Sequence, residues 1–259
     1  MKLSIRDNNK KDLFIAIFQL LKNCSSSIKL LFTKEELYIQ GMDKSHVCLF
    51  DIKISSLWFD SYEKNDEDTD DICVIPQTFH TVLSSASNNQ NIFINYIGNP
   101  ESVNIELIIK DNIKGEFSNY FKIPITDTDT ELLNIPEVEY DSEFMINSKK
   151  IHEITSKMML FGDNINIICN ENNISLKTVG VLGEMSVDIP IDDLAEYSIC
   201  EGEIIKLTYS LNYIHKMCLT TKLSEEVEFS ISQHSPMRIK YDLGENSRVL
   251  FYLAPKIED

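Results

Sequence analysis

The chain has 259 residues, a formal net charge of −17 at pH 7 and 43% hydrophobic residues. This hydrophobic content, with only 8 Gly and 7 Pro, excludes a disordered or fibrous chain and allows one large domain or two smaller ones. The acidic balance argues at first sight against a nucleic-acid partner, because phosphate binding requires a basic face. The longest apolar runs are a few residues, and the first residues carry charge without a cleavage signature, so we expect neither a membrane span nor a signal peptide.

Helical periodicity occurs in four places along the chain. The first is Lys10–Asn23, where Leu13 and Ile17 share an apolar stripe, and the second follows Pro76. The third begins at Ser148, which we expect to be its N-cap, and ends before a glycine. The fourth is Leu211–Thr221. Apolar side chains line one face of each segment, which predicts four amphipathic helices packed on other elements.

Short segments rich in β-branched and aromatic residues separate these helices, and several alternate apolar with polar residues. In the first half they are Ser27–Phe32, Glu36–Gln40, Val47–Ile54, Asn91–Ile97, Val103–Ile109 and Tyr120–Ile125. In the second half they are Asn164–Cys169, Ile174–Thr178, Glu184–Ile189, Ile204–Tyr209, Val227–Ser232, Met237–Asp242 and Arg248–Leu253. The pattern predicts large antiparallel sheets.

The two halves repeat the same order of elements at nearly the same spacing. We therefore predict an α+β protein built from two similar domains, each with two helices packed on antiparallel sheets. The expected boundaries are residues 1–124 and 143–259, joined by an acidic, exposed connecting loop at 125–142. A second acidic run, Glu63–Asp71, is interpreted as a solvated loop.

Catalytic and cofactor signatures are missing from the sequence. There is no phosphate-binding glycine loop, no nucleophile elbow and no pair of histidines at zinc-ligand spacing among the five histidines. The six cysteines are scattered without a C-x-x-C pair, which is typical of reduced structural thiols in an intracellular protein. We therefore expect no enzyme activity, no cofactor and no bound metal.

Three segments are more specific than the periodicity. They are Gln40-Gly41-Met42-Asp43-Lys44-Ser45-His46-Val47, then Asn134-Ile135-Pro136-Glu137-Val138-Glu139-Tyr140, and the terminus Leu253-Ala254-Pro255-Lys256-Ile257. Together they closely resemble the proliferating cell nuclear antigen family of DNA sliding clamps. The resemblance covers essentially the whole chain and agrees with the duplication.

The resemblance implies a DNA clamp fold that forms a homotrimeric ring around double-stranded DNA, with helices lining the hole. It implies a polymerase processivity factor in DNA replication and repair, which binds DNA without reading its sequence. Expected partners are DNA polymerase, a clamp loader and other replication and repair proteins that carry short peptide motifs. The expected location is the nucleus in a eukaryote, and the host nucleus or a cytoplasmic replication site for a virus. No membrane partner is expected.

Residues that the resemblance places toward DNA are basic side chains on or next to the four helices. They are Lys10, Lys11, Lys22, His80, Lys149, Lys150, Lys157, Lys216 and Lys222. The second helix has no Lys or Arg, so His80 is expected to substitute there and the hole to be less basic than usual.

The resemblance also implies a groove in which partner peptides insert a helical turn carrying one aliphatic and two aromatic side chains. Its expected residues are Met42, His46, Leu49, Leu133, Ile135, Pro136, Tyr140, Pro236, Tyr252, Ala254, Pro255, Lys256 and Ile257.

Other readings stay open at this stage. The chain could be one subunit of a heterotrimeric checkpoint-type clamp or a monomeric viral processivity factor of the same fold. It could also be a protein-interaction scaffold with weakened DNA contact. Subunit contacts are expected at strand edges near Val103–Lys110 and Leu176–Ile189.

Overall fold

A computed structural model describes residues 1–64, 71–96, 101–126 and 132–256. Ile257, the centre of the acidic run Glu63–Asp71 and residues 127–131 of the connecting loop lie outside the described residues. The chain divides into two compact units. The first contains Met1–Lys44, Asp51–Leu133 and Leu243–Val249, and the second contains Ser45–Phe50, Asn134–Asp242 and Leu250–Asp259.

The described residues of the chain repeat one order of nine strands and two helices. The first copy is β1 Lys2–Ile5, α1 Asn8–Cys24, β2 Ile28–Phe32, β3 Glu36–Met42, β4 Cys48–Ser55, β5 Ser61–Glu63, β6 Asp71–Val74, α2 Pro76–Leu83, β7 Gln90–Asn95, β8 Ser102–Ile109 and β9 Asn119–Pro124. The second is β10 Ser142–Asn147, α3 Ser148–Met158, β11 Asn164–Cys169, β12 Asn173–Gly180, β13 Gly183–Pro190, β14 Glu196–Ile199, β15 Ile205–Ser210, α4 Leu211–Met217, β16 Glu226–Ile231, β17 Met237–Gly244 and β18 Ser247–Leu253.

Each unit contains antiparallel sheets. In the first, one sheet has the order β5-β1-β7-β8-β9, and a second group of strands runs β6-β2-β3-β4, where β4 belongs to this unit from Asp51 onward. In the second, one sheet has the order β13-β12-β11-β15, and the other group runs β14-β10-β16-β17-β18. The α+β architecture with two helices and antiparallel sheets in each copy is therefore the predicted one.

The helices form where apolar side chains can be buried. In the first unit the rings of Phe18 on α1 and Phe79 on α2 stack at 5.2 Å between centroids, and both are fully buried. In the second unit Ile151 and Met158 on α3 and Ile214 on α4 are buried. Each helix thus keeps one face for the core and leaves the other to solvent.

The N-cap expected at Ser148 is wrong by one residue. The Asn147 side chain accepts hydrogen bonds from the backbone N–H groups of Lys149 and Lys150, at 3.1 and 3.3 Å, and Ser148 is buried. An asparagine at the N-cap satisfies N–H groups that have no partner inside the helix.

The stretch Val103–Lys110, near which we expect a subunit contact, is not itself an edge strand. This stretch forms most of β8, which pairs with β7 on one side and β9 on the other. The edge of that sheet is β9. At the other expected edge, within Leu176–Ile189, the outer strand is β13.

One glycine permits a close backbone approach beside β13. A Cβ at Gly180, the last residue of β12, would lie 1.8 Å from the carbonyl oxygen of Phe161 in the turn after α3. Only glycine allows the turn and the strand to lie this close.

Candidate nucleic-acid interface and peptide groove

The solvent face of α3 carries most of the available positive charge in the second unit's helices. Lys149, Lys150, Glu153 and Lys157 are exposed, and at about 100° per residue all four lie on one side of the helix. Within the described residues the three ammonium groups make no ion pair or hydrogen bond. This face therefore offers three cations and one carboxylate to a ligand.

The two lysines at or after α4 differ in exposure. Lys216 is half-buried, with its Nζ 5.8 Å from the centre of the Tyr213 ring, a cation–π contact that steadies the side chain. Lys222 is exposed just beyond the helix. That Lys216 and Lys222 face DNA stays a prediction.

Lys11 on α1 is not available to DNA in this structure. It is 3% exposed, and its Nζ donates hydrogen bonds to the carbonyl oxygens of Ser87, Asn88 and Gln90 at 3.0, 3.4 and 2.5 Å. Burial lowers the pKa of Lys11, and the neighbouring charge of Lys110 lowers it further. The expectation that Lys11 faces DNA is corrected, because its ammonium group satisfies the loop that follows α2.

Lys10 is also held by its own unit. Its Nζ donates to the carbonyl oxygen of Trp58 at 2.6 Å and lies 3.3 Å from a Glu245 carboxylate oxygen. The same ammonium group lies 5.5 Å from the centre of the Trp58 ring. A phosphate would have to compete with these contacts for Lys10.

Lys22, the third lysine of α1, is paired with His80, the histidine that was expected to add positive charge on α2. Lys22 Nζ donates to His80 Nδ1 at 3.1 Å. Burial lowers the pKa of His80, and the adjacent charge of Lys22 lowers it further. His80 is therefore a neutral acceptor at pH 7, and the expectation that it supplies positive charge on α2 is corrected.

The second unit has a histidine at the equivalent position. His80 and His215 are each the fifth residue of the second helix of their unit. The His215 ring stacks on His152 of α3, with centroids 5.6 Å apart, and its Nδ1 lies 3.2 Å from Thr155 Oγ1. Burial, followed by the effect of His152, lowers the pKa of His215. A histidine thus joins the two helices in both units.

Most expected groove residues lie in the second unit. The backbone N–H of Ala254 donates to the carbonyl oxygen of Val47 at 3.1 Å, and that of Lys256 donates to Thr208 at 2.7 Å. These bonds hold the terminal segment against the turn that contains His46, whose φ of 56° is left-handed. The remaining members that the structure places in this unit are Leu49, Ile135, Pro136, Tyr140, Pro236, Tyr252 and Pro255, all half-buried or exposed.

Two expected groove residues, Met42 and Leu133, belong to the first unit. Leu133 is 46% exposed and is anchored by Gln40, whose side-chain amide accepts from the Leu133 N–H at 2.6 Å and donates to its carbonyl at 2.9 Å. Gln40 was absent from the sequence prediction. A buried amide that mimics a backbone partner gives no signal in the sequence, because its role depends on a residue far along the chain.

Arg238 was also missed. Its guanidinium carbon lies 4.8 Å from the centre of the Tyr140 ring. The alternation of β17 predicts that Arg238 points away from the core, but not which side chain it meets.

Other kinds of site are not evident. In the parts of the chain that the structure describes, no group of three or more His, Cys, Asp or Glu side chains is placed to hold a metal ion. Among the described helices, none has the length and apolar character needed to cross a membrane.

A duplicated α+β chain with an exposed lysine face on a helix and a half-buried apolar terminal segment is typical of one class of protein, the DNA sliding clamps. Family descriptions match both copies: "Proliferating cell nuclear antigen, N-terminal domain" matches residues 7–132, and "Proliferating cell nuclear antigen, C-terminal domain" matches residues 134–256. The chain therefore belongs to the proliferating cell nuclear antigen family. The resemblance and the fold class predicted from the sequence are confirmed.

Curated relatives come from several branches of life. The proliferating cell nuclear antigen of Chaetomium thermophilum is 28% identical over 85% of each chain. The probable DNA polymerase sliding clamp 2 of Paramecium bursaria Chlorella virus 1 is 29% identical over 94% of this chain and 87% of its own. The DNA polymerase sliding clamp of Pyrococcus abyssi is 24% identical over 88% of each chain.

Proposed function

We propose that this chain is the subunit of a homotrimeric DNA sliding clamp that tethers a DNA polymerase to double-stranded DNA at sites of replication. The observation that carries the proposal is the exposed lysine face of α3, in a chain that matches the family over both of its copies. The clamp catalyses no reaction of its own; its contribution is to keep other proteins on the template.

The contact with DNA is electrostatic and independent of sequence. Lys149, Lys150 and Lys157 are long, flexible cations suited to phosphate, and contacts with phosphate carry no sequence information. A contact of this kind permits sliding, because each phosphate is replaced by an equivalent one. The net charge of −17 does not prevent it, since the exposed face of α3 is locally basic.

Ring closure is assigned to strand edges β9 and β13. In their sheets the opposite edges are poor candidates: β5 has three residues, and β15 already accepts a hydrogen bond from Lys256 at Thr208. Large apolar side chains are exposed at both proposed edges, including Tyr120 on β9 at 71% and Leu182 beside β13 at 79%. Pairing of β9 with β13 of the next copy is head-to-tail, and closes if the rotation between copies fits a ring.

The ring is tested by light scattering on the purified chain. We expect a mass close to three subunits of 29.8 kDa. Tyr120→Asp should give monomers, because it places a charge in the strand edge. Leu57→Asp is the matched control, since Leu57 is 77% exposed but lies outside both edges, and it should remain trimeric. A monomeric unchanged chain overturns the closed homotrimer and favours a monomeric factor; a trimer that forms only with other proteins favours a heterotrimeric clamp.

Topological linkage is tested by loading the clamp on nicked circular DNA with a clamp loader and ATP. The loaded protein should stay on the circle and be lost when a restriction enzyme makes the DNA linear. Retention on linear DNA would contradict encirclement. Loss from the circle itself at moderate salt would favour a scaffold with weakened DNA contact.

Partner docking is assigned to the apolar surface formed in the second unit by His46, Leu49, Tyr140, Tyr252 and Pro255, which we call the peptide groove. These side chains are half-buried or exposed around the terminal segment. A short helical turn with one aliphatic and two aromatic side chains would bury them. Polymerases and other replication and repair proteins would bind here through such motifs.

A further inference from the structure

A network of charged side chains lies across three strands beside Tyr140. In the sheet register Glu143 of β10 is opposite Ser230 of β16, and Ser230 is opposite Arg238 of β17. Arg238 Nη2 lies 3.0 Å from a Glu143 carboxylate oxygen and 2.9 Å from Ser230 Oγ. The three side chains thus form one row on the same face of the sheet.

A second row completes this network. Glu228 pairs in register with Lys240, and its carboxylate receives Arg238 at 2.7 Å and Lys240 at 2.8 Å. Two cations therefore meet two carboxylates, so that the cluster of Glu143, Glu228, Arg238 and Lys240 is neutral. All three contacts of Arg238 in this cluster are made by Nη2, so Glu143, Glu228 and Ser230 together hold that end of the guanidinium group more firmly than a single surface pair would. Among the described residues, Arg238 Nε is buried without a hydrogen-bond partner.

The fixed guanidinium group lies against the ring of Tyr140. The distance from its carbon to the ring centroid is 4.8 Å, within cation–π range. Tyr140 is half-buried, and burial raises the pKa of its hydroxyl to about 12, so the ring is neutral at any physiological pH. Tyr252 of the peptide groove is close enough to Tyr140 to influence it electrostatically.

The backbone that precedes Tyr140 is not held by backbone hydrogen bonds within the described residues. Within the described residues the backbone of 134–140 makes no hydrogen bond, and the first bond after it is from Asp141 N–H to the Ile231 carbonyl at 3.0 Å. The position of the Tyr140 ring therefore depends on side-chain contacts, of which the Arg238 contact is the one with a rigid, anchored partner.

We propose that Arg238 is a positioning residue of the peptide groove: it holds the ring of Tyr140 in the orientation that receives a partner peptide. The inference rests on the proposed docking function. Because the network is neutral, Arg238 acts through its cation–π contact with the ring and not by attracting an acidic peptide. The ligand class remains a peptide turn with apolar plugs, and a pre-oriented tyrosine lowers the entropy lost when it binds.

The test measures the Kd of a fluorescent synthetic peptide that carries one aliphatic and two adjacent aromatic side chains in a helical turn. Arg238→Met should weaken binding by roughly tenfold, the loss expected when a rigid aromatic contact is released. Arg238→Lys keeps the charge but not the planar stacking group, and should be weaker by a smaller factor. Lys177→Met is the control, since Lys177 is also a lysine paired with a glutamate, Glu184 at 2.8 Å, but lies on β12 outside this cluster, and it should change the Kd by less than about twofold.

A double-mutant cycle separates positioning from a general structural role. In a Tyr140→Ala background Arg238→Met should have no further effect on the Kd, because the ring that Arg238 holds is gone. An equal loss in both backgrounds would overturn the inference, as would peptide binding by Arg238→Met at the unchanged Kd. Failure of the unchanged protein to bind the peptide would overturn the peptide groove itself, and the role of Arg238 with it.

Discussion

The helix pairs of the two units use their lysines in different ways. In the first unit Lys10, Lys11 and Lys22 are all engaged inside their own unit, by a carbonyl and a carboxylate, by three carbonyls, and by His80. In the second unit Lys149, Lys150 and Lys157 point to solvent without a partner among the described residues. The three lysines of α1 therefore serve the stability of their unit, whereas the three lysines of α3 serve the electrostatics of theirs. A count of basic residues on a helix does not measure the charge offered to DNA.

The largest effect that tests this comparison is expected from Lys11→Met. The three carbonyl oxygens of Ser87, Asn88 and Gln90 would lose their shared charged donor, at a cost of about 2 to 3 kcal/mol in the free energy of unfolding. Urea denaturation of the variant measures this cost. Lys149→Met is the control and should stay within about 0.5 kcal/mol of the unchanged protein. Equal stability of the two variants would contradict the structural role of Lys11.

A second effect concerns DNA. Substitution of Lys149, Lys150 and Lys157 together by Gln should weaken duplex binding roughly tenfold and reduce the salt slope by about 2.7, at about 0.9 per phosphate contact. Fluorescence anisotropy over a salt series measures both quantities. Lys10→Gln combined with Lys22→Gln should have a much smaller effect.

Three exposed lysines outside the helices serve as the charge-matched control for the α3 variant. They are Lys2, Lys34 and Lys206. Their combined substitution by Gln removes the same total charge and should leave the salt slope nearly unchanged. If it lowers the slope as much as the α3 variant does, then net charge governs binding and not the α3 face.

The smallest effect is in the pH dependence of stability. The folded-state pKa values of His80 and His215 are lowered, so the unfolded chain, with histidine near pH 6.5, binds protons first as the pH falls. Their contribution to stability is therefore fully present above about pH 7 and is lost as the pH falls toward 5. Urea unfolding across this range should show the loss, and His80→Leu or His215→Leu should reduce it.

The two histidine variants also test whether the neighbouring side chain, which differs between the two units, influences the pKa of the histidine. His80 adjoins the ammonium group of Lys22, whereas His215 stacks on a second imidazole ring, that of His152. His80→Leu should therefore flatten the pH profile more than His215→Leu. Equal flattening would mean that burial alone sets both pKa values and that the neighbours do not matter.

The sequence predicted the fold well where the elements were long and periodic. The strand Asn164–Cys169 was predicted with its observed bounds, and all four helices were located. Strands β1, β5, β6, β10 and β14 were missed. Four of these have four residues or fewer, as in Ser61–Glu63, which is too short for a periodic pattern. They are strands because a neighbour in the sheet pairs with them.

The candidate site was predicted less completely. The exposure of the α3 lysines can be predicted from the helical period and the polarity of the segment, because it does not depend on residues elsewhere in the chain. Lys11 is also a lysine on a predicted helix, but its side chain is buried, because carbonyl groups that follow α2 in the chain lie beside it. The contact of Arg238 with Tyr140 likewise depends on sheet register, which no local pattern in the sequence encodes.

The close approach at Gly180 places a limit on variation in this chain. Addition of a single methyl group at this position would force the turn after α3 away from the end of β12, because the new carbon and the Phe161 oxygen would overlap at 1.8 Å. β13 follows directly from that strand and carries the edge by which we propose that copies join. A substitution with no effect on charge, groove or helices could therefore abolish assembly, and Gly180→Ala would present as a loss of the ring in a folded subunit.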